Sequence, residues 1–70
     1  MDPNATLELI EEQLASAKLA RAQGDMAVWA AEIEDAREAR EDLHEWLAKG
    51  GFEPEWTAYP AAAAFYSNRY

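Results

Sequence analysis

Between Met26 and Leu47, long or apolar side chains recur as Met26, Trp29, Ile33, Ala36, Arg40, Leu43 and Leu47. This unbroken 3-4-3-4-3-4 spacing holds one line of residues on one side of an α-helix for three heptads, and neither a strand nor a loop satisfies it. A helix with such a stripe must bury it against something. The first twenty residues supply a partner, because Leu7, Ile10, Leu14 and Ala17 also step by three and four. Glu8, Glu11 and Glu12 sit early in that segment and Lys18 and Arg21 late, the order that suits the helix dipole.

Local signals mark where these helices begin and end. Asp2 can accept from the orphan amides of a first turn and Pro3 suits the first helical position, so helix 1 is expected from about 3 to about 23. Gly24 suits the left-handed position that stops a helix, and Asp25 can cap the next one, which is expected from about 25 to about 49. Gly50-Gly51 ends it, with Phe52 placed for the apolar contact of a Schellman stop. A turn as short as 23–25 makes the two helices antiparallel neighbours. The expected fold is all-α: an antiparallel two-helix hairpin, coiled-coil-like, over residues 1–49, followed by an aromatic C-terminal tail over 50–70. Pro60 and the alanines after it leave room in the tail for one short helix over about 60–66.

Folding the hairpin about Gly24 places Trp29 in the seam and brings Arg40 near Leu7 and either Glu8 or Glu11. That predicts a register-setting ion pair worth at most about 1 kcal/mol if exposed. Phe52, Pro54 and Trp56 are placed to cover Leu43, Trp46 and Leu47, where helix 2 outruns helix 1. Trp46 shares a flank with Val28 and Ala39, about 100° from the seam, and Leu9 with Ala20 forms a similar flank on helix 1. Two helices alone cannot cover both flanks, and a large apolar flank on a small protein marks an interface. The tail beyond Trp56 is spare for folding on this reading and carries further aromatics that suit interface anchors. The residues expected to bind a partner are therefore Val28, Trp46, Tyr59, Phe65, Tyr66 and Tyr70. The competing expectation is that the tail folds back over the flanks.

Seventy residues make one domain at most, and chains this short bury only about 60% of their unfolded surface, so self-association is expected to add stability. There is no cysteine, hence no disulfide and no thiolate metal site. The N-terminal segment lacks the basic start and apolar run of a secretory signal, and no stretch approaches the roughly 20 apolar residues of a membrane span. A cytoplasmic location is expected. Fourteen acids against six bases give a net charge of −8, which repels phosphate backbones and anionic lipid. Neither direct nucleic-acid binding nor membrane binding is expected.

Little in the chain suits catalysis. Ser16, Ser67, Thr6 and Thr57 have no adjacent histidine to activate them, and Gly50-Gly51 leads into an acidic stretch with no helix behind it to hold a phosphate. Glu41-x-x-His44 has the spacing of ligands in di-iron carboxylate bundles. In so glutamate-rich a helix, however, a glutamate lies three or four residues from any histidine. No catalytic, cofactor or metal residue is assigned, and no cofactor is expected.

Asp2-Pro3-Asn4-Ala5 and the later run Leu43-His44-Glu45-Trp46-Leu47-Ala48-Lys49-Gly50-Gly51-Phe52, followed by Pro54 and Trp56, carry a resemblance. The chain resembles the short acidic proteins of unassigned function from actinobacteria and their tailed phages. The resemblance implies a phage or actinobacterial origin, in host cytoplasm or virion, and no activity to carry over. The expected function is non-enzymatic protein–protein interaction: self-association, or binding of a host or virion protein, as an assembly component or host-factor inhibitor. The alternatives are an acidic DNA-mimic decoy for a DNA-binding protein and, third, an oligomeric iron-binding hairpin.

Overall fold

The computed structural model describes residues 1–68. Those residues form three α-helices and no strand: α1 over Pro3–Ala22, α2 over Met26–Ala48 and α3 over Pro60–Ser67, with a 3-10 turn over Trp56–Ala58 before α3. The two long helices pack against each other, and α3 packs against α1.

Both long helices stop by the same device. At the end of α1, Gly24 takes φ +76°, its N–H reaches the Arg21 carbonyl at 3.1 Å, and the Asp25 N–H reaches the Ala20 carbonyl at 2.8 Å. At the end of α2, Gly50 takes φ +88°, its N–H reaches Leu47 O at 3.1 Å, and the Gly51 N–H reaches Trp46 O at 3.0 Å. These are two Schellman stops, in which the orphan carbonyls of the last turn are satisfied by a chain that only glycine lets reverse so sharply. Asp25 then begins α2, its Oδ1 accepting from the Val28 N–H at 3.2 Å, while Asp2 caps α1 by accepting from Asn4 and Ala5. One residue, Asp25, thus closes one helix with its amide and opens the next with its carboxylate.

The core gathers at the end remote from this turn. Leu7 and Ile10 of α1, Ala36, Ala39 and Leu43 of α2, and Ala62 of α3 form one buried cluster, with Leu14, Leu47, Trp56, Tyr59, Phe65 and Tyr66 among the half-buried residues around it. Ala62 is 0% exposed, so the tail is part of the core and not spare for folding. Nothing caps α3 from its own chain neighbours. Instead Glu11 Oε2, on α1, accepts from the Ala62 N–H at 2.6 Å, which satisfies an orphan amide and sets a carboxylate against the positive end of α3. Asn4 Oδ1 likewise accepts from the Glu55 N–H at 2.7 Å and ties the connecting segment to α1.

Three expectations are corrected by this arrangement. Arg40 makes no ion pair with Glu8 or Glu11: its Nη1 lies 3.5 Å from the Phe65 carbonyl and its guanidinium 4.6 Å from the Phe65 ring centre. It therefore faces α3 and not a carboxylate of α1. The flanks are partly closed, with Ala39 and Ala20 buried, because alanines let α1 and α2 approach closely there. Phe52 does not cover the end of α2; it is 60% exposed and meets Trp46 edge-on at 5.6 Å, while Pro54 is the buried residue of that segment.

Candidate functional site

The structure divides the residues expected at an interface into two groups. Tyr59, Phe65 and Tyr66 are half-buried against the chain's own core. The Tyr66 ring lies 5.1 Å from that of Trp56, and its hydroxyl is 3.4 Å from His44 Nδ1. The phenol of Tyr59 is held above its ordinary pKa, first by partial removal from water and then by the negative charge of the nearby Glu8 carboxylate. Trp46 is also half-buried: its Nε1 donates to the Phe52 carbonyl at 3.0 Å, and its indole lies where a side chain on Gly51 would project. Val28 stands apart from these, 44% exposed near the start of α2. Tyr70 lies outside the described residues.

Apolar side chains are exposed at several places, Leu9, Leu19 and Phe52 among them, and one continuous apolar stretch lies at the turn end of the two long helices. Leu14, Trp29 and Ile33 are only half-buried, and Met26 is 50% exposed, although all four belong to the stripes that read as seam. The cause is the length of α3. Eight residues make a helix of about 12 Å, against about 34 Å for the twenty-three of α2, so α3 can cover only part of the stripe. It takes the stretch from Ala36 onward, where Arg40 and His44 meet Phe65 and Tyr66. Met26, Trp29 and Ile33 continue the same side of α2, and among the described residues no third helix lies over them. Sequence reasoning placed Trp29 in a closed core and missed this opening; the mismatch between a 23-residue stripe and a tail with room for one short helix is the signal that shows it.

Arg21, one residue from the end of α1, lies with its guanidinium 6.0 Å from the Trp29 ring centre. This cation–π contact joins the two helices across the open stretch and leaves the indole only half-buried beside a positive charge. Farther along α2, where α3 ends, a concavity of about 530 Å³ is lined by Arg37, Arg40, Phe65 and Asn68. The apolar stretch thus has Arg21 beside Trp29, and the concavity beyond it is edged by Arg37 and Arg40.

Among the described residues no three histidine, aspartate or glutamate side chains converge as metal ligands would, and His44 is turned to Tyr66. No helix among them is long and apolar enough to cross a membrane. None of the protein-family models, curated proteins or solved structures compared with this chain matches it.

Proposed function

We propose that this chain is a non-enzymatic protein-interaction module: an antiparallel helical hairpin that closes one half of its core with its own α3 and has the other half closed by a partner protein. The single observation that carries the reading is the turn end, where Leu14, Trp29 and Ile33 are only half-buried beside exposed Met26. A contiguous apolar stretch left uncovered on so small a protein is the usual mark of a binding surface. The resemblance that residues 2–5 and 43–52 carry to actinobacterial and phage proteins supports a partner in a host cell or virion, as an assembly contact or an inhibited host factor.

The partner is more readily a different protein than a second copy. The chain exposes 4528 Å², close to the roughly 4,400 Å² expected of a folded monomer of its 7.9 kDa mass, so stability alone does not require self-association. The DNA-mimic reading draws on Glu34, Glu38, Glu41, Asp42 and Glu45, an exposed run along α2. It is the weaker reading, because Lys49 pairs with Glu45 at 2.9 Å and Arg37 approaches Glu34 at 3.9 Å, which dilutes the field.

The test is affinity capture from a lysate of the source organism with the wild-type chain and with Met26→Glu and Ile33→Glu. The expected result is one stoichiometric partner retained by the wild type and lost from both variants while their melts stay cooperative. A partner retained equally by all three, or no partner at all, overturns the proposal.

A further inference from the structure

The charges around the open turn end run against the character of the whole chain. Of the six lysines and arginines in a protein of net charge −8, Lys18, Arg21 and Arg37 stand along the helix faces that carry the opening, and Arg40 follows where α3 begins to cover α2. On α1, Leu14, Lys18 and Arg21 follow one another by four and three; on α2, Trp29, Ile33, Arg37 and Arg40 follow by four, four and three. Each series lies on one face of its helix, and the Arg21–Trp29 contact joins the two faces. Lys18 makes no ion pair with any described residue, and Arg37 meets Glu34 only at 3.9 Å, with both side chains more than half exposed. Arg40 is bound through Nη1 to the Phe65 carbonyl, yet its buried Nε has no partner. Basic groups that are weakly paired, set along an apolar stretch, are the complement of an acidic amphipathic helix.

We propose that the apolar face at the turn end binds an acidic amphipathic helix of a partner protein, its apolar stripe on Leu14, Trp29 and Ile33 and its carboxylates against Lys18, Arg21 and Arg37. This rests on the interaction reading above and names the chemistry of its partner. The open stretch from Met26 to Ile33 is about 10 Å long, room for about two helical turns. A second copy does not fit the same description. Its own apolar face would set arginine against arginine, and the acidic side of its α2, along Glu34, Glu38, Glu41 and Glu45, offers carboxylates and alanines but no large apolar side chain, while exposed Leu9 and Leu19 of its α1, near Glu8 and Glu12, stand ten residues apart and form no three-four stripe. Nucleic acid matches the basic rim alone and is opposed by the net charge.

The experiment is a titration of the full-length, isotope-labelled chain followed by NMR. The probes are a stapled 14-residue helical peptide with leucines at three-four spacing and glutamates elsewhere, its counterpart with lysine for every glutamate, and a single-stranded DNA oligonucleotide. The acidic peptide should shift the Trp29 indole N–H and the Lys18 and Arg21 amides saturably, and bind at least tenfold tighter than the lysine peptide. The Lys18→Glu, Arg37→Glu chain, whose substitutions are both exposed, should keep its melt and reverse that preference. No saturable shift up to millimolar peptide, equal or tighter binding of the lysine peptide, shifts centred on α3, or binding of the oligonucleotide at this face would overturn the proposal. If the peptides fail while Ile33→Glu and Met26→Glu still abolish partner capture, the acidic-helix assignment falls and the interaction reading stands. If capture is also unaffected, both fall.

Discussion

Gly51 offers the sharpest test of how the end of α2 is built. Unlike Gly24 and Gly50 it does not adopt positive φ, so its backbone tolerates alanine. A Cβ at this position would, however, lie within 3.0 Å of the indole atoms of Trp46. Gly51→Ala must push the indole away, weakening the 3.0 Å bond from Nε1 to the Phe52 carbonyl and the edge-on contact with Phe52. The bond is worth about 1 kcal/mol and the ring contact about 1 kcal/mol. Against this, alanine restricts the unfolded chain and returns about 0.5 kcal/mol. The net cost is about 1.5 kcal/mol, a fall in Tm of roughly 6–12 °C for a domain of this size. Urea and thermal melts followed by circular dichroism measure it. The decisive comparison is a double-mutant cycle, because with Trp46→Leu the obstruction is gone and Gly51→Ala should become neutral or stabilising by about 0.5 kcal/mol. An equal cost in both backgrounds would show that Trp46 does not occupy that space.

Other perturbations probe the remaining joints. Ending the chain at Glu55 should abolish the cooperative melt, since it removes buried Ala62 and the aromatics around it; an unchanged melt would show that α3 is not part of the core. Glu11→Ala should cost about 1.5–3 kcal/mol by stripping the charged acceptor from the Ala62 amide, with Glu11→Gln recovering part of it, as a denaturant titration would show. Gly24→Val should cost about 1 kcal/mol or more from backbone strain alone, because no atom lies within 4 Å of a Cβ there; an unchanged Tm would place the turn elsewhere. The raised pKa of Tyr59 means its folded form holds the proton more tightly than the unfolded chain does. Stability from this source is full below about pH 10 and lost as pH rises through the folded value, so Tyr59→Phe should flatten the alkaline decline in stability.

The all-helical fold and its two long packed helices are legible in the sequence because their signals are local. Asp2 caps within three residues, Gly24 and Gly50 act within the turn they end, and the three-four stripes need no knowledge of the partner. What lies opposite a stripe is a different matter. Arg40 reads as half of an ion pair because acids are abundant on helix 1, yet its partner is a carbonyl 25 residues onward. Glu11 reads as a solvated acid, and its partner amide is 51 residues away. Both contacts depend on where α3 lands, which no spacing within helix 1 or helix 2 encodes. The candidate site follows the same rule: the flank position of Val28 makes its exposure legible, whereas Tyr59, Phe65 and Tyr66 pack on the core, because aromatic anchors and core aromatics look alike before the fold is known.

The central claim is that a partner closes the turn end and that the tail does not do the binding. Photo-crosslinking in the source lysate tests it directly, with a photoreactive side chain placed in turn at Ile33, in the open stretch, and at exposed Ala64 on α3. The account predicts one discrete crosslinked protein from position 33 and none from position 64. Crosslinking from position 64 alone would contradict it and make α3 the docking element.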